Sequence, residues 1–244
     1  MALSEGGDIP HEITEDYPLY EMESSESDSD DSTSSSDEEE DDLVYFTRLG
    51  LPFCGYNDHG EIITKWKGKS AVALVQPYKG ATPNIVMTLK YLSTMDGVQR
   101  LYTWRYLAPG IHYPYKHVIV LSDHDVEMPQ EVKYYSRRLI QVVRNLHKRH
   151  VVHGNISVHT VSCDDKLVLT DFSHASVDDD NNVEDKQNVA ITIMCWILSV
   201  QDIDDAEESM KLLTDHELSE VVIGLFTNTM SFKDALRHKS LTSR

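Results

Sequence analysis

Cysteines and long apolar runs, which mark secreted and membrane-bound chains, are scarce in this sequence. The three cysteines among 244 residues, Cys54, Cys163 and Cys195, are too few and too far apart for a disulfide framework or a metal site. The longest apolar stretch, Val189–Val200, has 12 residues, whereas a membrane-spanning helix needs about 20. The N-terminus also lacks the basic and apolar regions of a secretory signal. We therefore expect an intracellular protein, in the cytoplasm or nucleus, with no membrane partner.

Basic residues are absent from the first 42 positions, which contain 17 Asp or Glu. The other 202 residues carry 24 acidic and 22 basic side chains, so the net charge of −19 belongs almost entirely to the N-terminal segment. Such a segment cannot bury enough apolar surface to offset the entropy of ordering, and we predict a disordered acidic tail over 1–42. The nearly neutral remainder lacks the basic surface that binds nucleic-acid backbones, so no nucleic-acid partner is expected.

From residue 43 the sequence alternates between apolar runs and turn residues, as is typical of a folded domain. Its first part predicts one helix at 84–95 and a turn at Asn57-Asp58-His59-Gly60. Strands are predicted over 43–46, 60–66, 70–76, 101–107 and 117–121. Apolar residues three and four positions apart predict a helix over 130–149, and helices dominate from about 125 onward. The predicted fold class is therefore α+β, a mostly antiparallel sheet followed by a mostly helical half.

Two short motifs follow the helix predicted at 130–149. The first is the loop His153-Gly154-Asn155-Ile156-Ser157-Val158-His159-Thr160, and the second is Thr170-Asp171-Phe172-Ser173 after a short apolar strand. This order resembles the core of the protein kinase family, whose catalytic loop reads H-R-D-L-x-x-x-N and whose metal loop reads D-F-G. The resemblance covers roughly 43–241. It implies a two-lobed kinase-like domain over 43–244, with an N-lobe at about 43–123 and a truncated C-lobe at about 124–244.

Three residues of the sequence match family residues that have structural roles. His153 and Phe172 match the family's loop histidine and D-F-G phenylalanine, which belong to an apolar column that joins the two lobes. Asp185 matches the aspartate that begins the central buried helix of the fold. The resemblance therefore implies structural roles for these three residues.

The positions that carry the family's chemistry have changed. Asn155 takes the place of the catalytic aspartate, Ser157 that of a phosphate-contacting lysine, and Thr160 that of a magnesium-binding asparagine. An amide oxygen is not a useful base near neutral pH, and a positioned base contributes typically ~10²–10⁴-fold. Asp171 remains as a charged ligand with two interpretations open. It either helps to hold Mg²⁺ or caps a local turn.

The nucleotide-binding segments are also degenerate. Gly50 and Gly55 resemble the first and third glycines of the family's phosphate-binding loop, with an ordinary turn as the alternative interpretation. Pro52 stands between them and has no N–H to offer a phosphate. In the segment that resembles V-A-I-K, Ala73 keeps its type and Val75 occupies the lysine position. An aliphatic side chain cannot hold a phosphate.

Acidic residues are missing between Glu61 and Asp96, so the glutamate that would pair with this lysine is missing too. The loss of both members of the ion pair indicates decay or a new use of the pocket. We therefore expect no cofactor, with ATP and Mg²⁺ bound only if residual nucleotide binding survives.

The replaced chemistry favours a catalytically inactive kinase-like protein, a pseudokinase, that binds and regulates a protein partner such as a kinase or a kinase substrate. One alternative is a divergent active serine/threonine kinase with a substitute lysine from Lys65, Lys67 or Lys69. Another is an acidic-tailed interaction protein of a different fold. Gly154 after the loop histidine resembles the vaccinia-related kinases and their poxviral relatives, and the acidic tail resembles that of herpesviral kinases. Both resemblances imply a viral protein that acts inside a host cell.

Overall fold

The first half of the chain forms a five-stranded sheet and a helix over 84–91. Four of the five strands overlap predicted strands, whereas the strand over 53–56 was not predicted. The computed structural model describes residues 45–46, 48–57, 61–107, 115–177 and 183–243, and the predicted tail lies outside them. The strands are β1 (Phe53–Tyr56), β2 (Ile62–Trp66), β3 (Lys69–Pro77), β4 (Leu101–Leu107) and β5 (Lys116–Ser122). They lie in the order β1-β2-β3-β5-β4, and all neighbours are antiparallel. Helix α1 (Asn84–Tyr91) connects β3 to β4.

The two faces of the sheet pack against different neighbours, because alternate side chains of a strand point to opposite faces. On one face, Val72 and Leu121 join Leu89 of α1 in the large core that continues into the helical half. On the other face, Ala73 and Val120 join a smaller apolar cluster. Which face a β3 residue occupies therefore decides whether it lies toward the helical half or away from it.

Tyr45 and Phe46 cover this second face, and for these two residues the strand predicted over 43–46 is wrong; residues 43–44 lie outside the described ranges. Both residues have helical backbone, and their side chains are 0% and 1% exposed. They contact the cluster that contains Ala73 and Val118. A short apolar run cannot be assigned to strand or helix by periodicity alone. In the structure, the two residues pack on this face of the sheet in a helical conformation.

The second half is mostly helical, as predicted. Its helices are α2 (Val132–His147), α3 (Val183–Leu198), α4 (Ala206–Leu212), α5 (Ser219–Phe226), α6 (Phe232–Ala235) and α7 (Lys239–Thr242). Short antiparallel pairs join β6 (Val151–Val152) to β9 (Ser176–Val177) and β7 (Val161–Ser162) to β8 (Val168–Leu169). A 3₁₀ turn spans Phe172–His174.

Helices α2 and α3 form the centre of this half. The predicted helix at 130–149 is observed as α2, which buries Leu139, Val142 and Leu146 along one face. Helix α3 buries residues on most of its circumference, among them Val189 and Ile193. Each such side chain contributes roughly 1.5–3 kcal/mol when it is fully removed from water. The described residues contain no helix that is both long and apolar enough to cross a membrane.

Candidate functional site

A cleft with a volume of about 410 Å³ lies between the sheet and the loops of the helical half. Its aliphatic wall comes from the sheet and from α1. Its polar wall comes from the loops that carry the two central motifs and from the segment that connects β5 to α2. The lining residues include Val72, Leu74, Ile85, Leu121, Glu61, Gln99, Asp123, His124, Asn155, Ser157, Thr160 and Asp171.

Asp185, fully buried in the first turn of α3, holds the loop that begins at His153. Its carboxylate accepts hydrogen bonds from the backbone N–H groups of His153 and Gly154, both at 2.9 Å. It also accepts a bond from the ring of His147 at 2.7 Å. Burial acts to raise the pKa of Asp185, but these hydrogen bonds outweigh burial and hold the pKa below its ordinary value. The loop is therefore fixed through its main chain.

His153 and Phe172 contact each other in the interior of the domain, and neither lines the cleft. Their ring centroids lie 4.6 Å apart in an edge-to-face arrangement, and both side chains are fully buried. The Nε2 atom of His153 donates to the carbonyl oxygen of Thr170 at 2.9 Å. Burial lowers the pKa of His153, although the charge of Asp185 opposes the shift. The imidazole is therefore a neutral packing group at neutral pH.

Gly154 permits a close approach that another residue would block. Its φ is +74°, and a Cβ atom placed there would lie 2.9 Å from the carbonyl oxygen of His174. Left-handed backbone conformation is costly for residues that carry a Cβ. A glycine at this position is therefore a steric requirement of this loop.

The side chains of Asn155 and Asp171 are directly bonded. The amide nitrogen of Asn155 donates to Asp171 Oδ2 at 2.7 Å. Ser173 donates to Asp171 Oδ1 from its backbone N–H at 3.3 Å and from its hydroxyl at 2.5 Å. Asp171 thus caps the 3₁₀ turn that follows it, with its own backbone left-handed at φ 50°. Burial acts to raise the pKa of Asp171, but the hydrogen bonds from Ser173 and Asn155 hold it below its ordinary value.

Ser157 and Thr160 direct their hydrogen bonds to the loop itself. The Thr160 hydroxyl donates to the carbonyl oxygen of Asn155 at 2.8 Å and accepts from the Ser157 N–H at 2.9 Å. The Ser157 hydroxyl accepts from the N–H of His159 at 3.3 Å. These contacts stabilise the path of the loop.

Ala73 and Val75 were predicted to face the pocket, but they do not line the cleft; their neighbours in β3 do. Both pack on the sheet face that Tyr45 covers, whereas Val72 and Leu74 line the cleft. A one-residue slip moves a strand's side chains to the opposite face, and without a lysine nothing in the sequence fixes the register. Leu74 therefore occupies the cleft-facing place that was predicted for Val75, and it too is aliphatic.

The predicted glycine pair does not form the loop between β1 and β2. Gly50 lies in a turn before β1, and Gly55 lies inside β1. The connection between β1 and β2 spans 57–61, where the sequence predicts a turn, and residues 58–60 are outside the described ranges. Asn57 and Glu61, on either side of them, line the cleft. The Gly-x-x-x-x-Gly spacing of Gly55 and Gly60 is the sequence signal that could have located this loop.

The charged side chains that line the cleft among the described residues are acidic. Glu61, Asp123 and Asp171 line it, and no Lys or Arg does so among the described residues. Residues 58–60 contain no Lys or Arg either. Burial lowers the pKa of His124, although Asp123 opposes the shift, so this imidazole adds no positive charge at neutral pH. The described side chains of the cleft therefore offer a ligand negative charge and no Lys or Arg.

The three lysines that the sequence offered as substitutes lie along the β2–β3 hairpin. Lys65 and Lys69 are exposed strand residues, and the ammonium of Lys67 lies 5.7 Å from the ring centre of Trp66. None of the three lines the cleft. The arrangement therefore supplies no cation for a phosphate.

One solved structure places this architecture among known folds. The kinase PK-1 of Cydia pomonella granulovirus matches with a TM-score of 0.60 at 12% sequence identity, over 84% of this chain and 99% of that chain. No protein family model and no curated protein sequence matches the chain. The chain has a protein-kinase-like fold, which confirms the predicted kinase-like α+β fold class and contradicts the alternative of a different fold.

Proposed function

We propose that this chain is a pseudokinase, a kinase-like protein that transfers no phosphate and regulates a protein partner by binding it. The hydrogen bond between Asn155 and Asp171 is the observation that carries the proposal. In the family, these positions hold the base that accepts the substrate's proton and the carboxylate that holds the metal. Here the first is an amide, and it donates to the second. The pair forms an internal hydrogen bond, from a neutral amide to an ionised carboxylate, at the point where chemistry would occur.

The surrounding cleft supports the same function. Leu74 offers no charge to a phosphate, and α1 contains no acidic residue to pair with a lysine. The carboxylates of Glu61 and Asp123 add further negative charge. Nucleotide binding and phosphoryl transfer are therefore both disfavoured, while the retained packing of His153 against Phe172 keeps the shape of the domain.

The similarity to a granulovirus kinase supports a viral origin for the chain and a place of action inside a host cell. A kinase or a kinase substrate is the partner class that a kinase-shaped surface would recognise. Both the folded domain and the acidic N-terminal segment are candidates for that contact.

The test is phosphoryl transfer by the purified full chain. It is incubated with labelled ATP, with Mg²⁺ or Mn²⁺, and with generic protein substrates, beside the Asp171→Ala variant. We expect equal, background incorporation in both samples. Incorporation by the natural chain that disappears in Asp171→Ala would overturn the proposal in favour of the divergent serine/threonine kinase.

A further inference from the structure

We propose that a basic, aromatic surface at one end of the sheet is the docking site for the chain's own acidic run, residues 37–42. The run reads Asp-Glu-Glu-Glu-Asp-Asp and ends three residues before Tyr45. Such docking goes beyond the proposed function, because it does not depend on whether the chain transfers phosphate. The tyrosine surface consists of three tyrosines and three basic residues, Tyr78, Tyr106, Tyr115, Lys79, Lys90 and Arg105.

The three tyrosine rings meet where β3 and β4 end and β5 begins. The rings of Tyr78 and Tyr106 are stacked with centroids 5.5 Å apart, and the ring of Tyr115 lies 6.2 and 5.9 Å from them. The three side chains are 45%, 53% and 55% exposed, and their hydroxyls bond to no described residue. Phenol hydroxyls donate hydrogen bonds, and tyrosine is enriched in protein interfaces. The cluster therefore offers an acidic ligand both aromatic surface and donors.

This part of the chain carries positive charge with almost no negative charge. Between residues 62 and 122 there are eight Lys or Arg residues and a single acidic residue, Asp96. Asp96 forms ion pairs at 3.2 and 4.0 Å with the helical half. Among the described residues, Lys79, Lys90 and Arg105 form no ion pair. Their charges are therefore not neutralised by the described part of the domain.

Contacts and chain order place these basic groups around the rings. The ammonium of Lys90 lies 4.9 Å from the ring centre of Trp104. The ring of His117 connects this pair to the cluster, since it lies 5.8 Å from Trp104 and 5.3 and 6.5 Å from two of the tyrosine rings. Lys79 and Arg105 are each adjacent in sequence to one of the tyrosines. A negatively charged segment that covers the rings would therefore meet cations beside them.

The described chain begins close to this surface. Tyr45 is the first described residue, and its ring centre lies 5.2 Å from the ammonium of Lys116, the residue after Tyr115. Because one residue spans at most about 3.6 Å, the segment from 37 to 45 extends no farther than about 29 Å. Exposed ion pairs are individually weak, but a short tether gives an effective concentration in the millimolar range. Charge complementarity and the short tether together select the acidic run as the ligand.

The experiment follows the tyrosine ring resonances of the surface by NMR in the natural full chain, a run variant and a distant variant. The run variant carries Asp37→Asn, Glu38→Gln, Glu39→Gln, Glu40→Gln, Asp41→Asn and Asp42→Asn. The distant variant loses the same charge farther from Tyr45 and carries Glu21→Gln, Glu23→Gln, Glu26→Gln, Asp28→Asn, Asp30→Asn and Asp31→Asn. We expect the resonances to shift in the run variant and not in the distant variant. Raising NaCl to about 0.5 M should move the natural chain toward the run variant, because salt screens exposed charges.

An added peptide locates the site. Ac-Ser-Asp-Glu-Glu-Glu-Asp-Asp-NH₂, the sequence of residues 36–42, should bind the run variant in a saturable way. It should bind the natural chain more weakly, because the chain's own run competes with it.

Two sets of substitutions in the run variant test which basic residues hold the peptide. Lys79→Gln with Lys90→Gln and Arg105→Gln should weaken peptide binding by about 10-fold or more, the effect of losing three exposed ion pairs. The control set removes the same charge from the β2–β3 hairpin, at the other end of β3, and should leave binding unchanged. It consists of Lys65→Gln, Lys67→Gln and Lys69→Gln.

The opposite results are equally specific. Equal shifts in the run and distant variants, or no shift in either, would overturn the proposed docking. Equal weakening by the two sets of substitutions would overturn it as well, because it would show non-specific attraction between charges. Tighter binding of a thymidine hexanucleotide than of the peptide at the same resonances would assign the surface to single-stranded nucleic acid instead. The pseudokinase proposal is tested separately, by phosphoryl transfer.

Discussion

Asn155 donates a hydrogen bond of 2.7 Å from its amide nitrogen to Asp171 Oδ2. Because Ser173 occupies the other oxygen of the same carboxylate, Asp171 is bonded on both sides by neutral groups. An aspartate that has its hydrogen bonds satisfied in this way can remain ionised in a half-buried place without a metal. The contact therefore gives Asp171 a structural role in the cleft that needs no metal.

Asn155→Asp should destabilise the domain in a way that depends on pH and Mg²⁺. The substitution replaces a donor by a second carboxylate at hydrogen-bonding distance, and two such groups cannot both ionise without cost. We expect a loss of roughly 1–3 kcal/mol at pH 7.5, smaller near pH 5, where the pair can share a proton. Thermal unfolding at the two pH values, with and without Mg²⁺, measures this. A variant that melts like the natural chain at pH 7.5 without Mg²⁺ would show that the bond is not formed in solution.

The register of β3 can be tested by placing a lysine on each face. Leu74→Lys puts an ammonium in the acidic cleft, where it should be tolerated. Val75→Lys puts it against the cluster that contains Tyr45 and Phe46, where burial of a charge is costly. We expect a clear fall in melting temperature for Val75→Lys alone. The reverse order would restore the register predicted from the sequence.

Phe172→Ala should cause a large loss of stability. Truncation of a buried phenylalanine costs about 3–5 kcal/mol, a considerable part of the ~5–15 kcal/mol that stabilises a typical domain. Ser157→Ala is the control within the same site and should change stability by less than about 0.5 kcal/mol. Urea unfolding of both variants provides the comparison. Equal effects would mean that the contact between Phe172 and His153 contributes little.

Asp185→Asn should remove stability that the natural chain has at neutral pH. The folded pKa of Asp185 lies below its ordinary value, so its contribution is complete above the unfolded pKa of about 4. That contribution is lost as the pH falls through the lower, folded pKa. We expect the variant to lose at least ~1.5–3 kcal/mol between pH 6 and 8, the value of one hydrogen bond to a charged group. The difference from the natural chain should shrink below about pH 4, and a difference that grows there would contradict the assignment.

Gly154→Ala should destabilise more than Gly68→Ala. Both glycines have positive φ, +74° and +80°, so both substitutions incur the cost of left-handed backbone, roughly 1–2 kcal/mol. A Cβ at Gly68 meets nothing within 4 Å, whereas one at Gly154 would lie 2.9 Å from a carbonyl oxygen. The excess loss in Gly154→Ala, measured by thermal unfolding, isolates the steric term. Equal losses would show that the loop moves aside without cost.

The sequence predicts the elements of this fold better than it predicts the cleft. Apolar residues three and four positions apart predict a helix over 130–149, and the structure has α2 at Val132–His147. The face of the sheet on which Val75 lies could not be predicted in the same way. Side chains of a strand alternate between the two faces, so an error of one residue in the alignment moves each side chain to the opposite face. Glu61, Gln99 and Asp123 line the same cleft but belong to no motif, so the sequence alone does not show that they share a site.

The way in which Asp185 holds the loop bears on how such a protein can change over generations. It bonds to the N–H groups of His153 and Gly154, and every amino acid except proline has such a group. Apart from the glycine itself, the loop can therefore exchange its reactive side chains one at a time while its path is inherited intact. A lineage could lose an enzyme's chemistry by single substitutions and still pass on, at each step, a folded protein on which selection for a new partner can act.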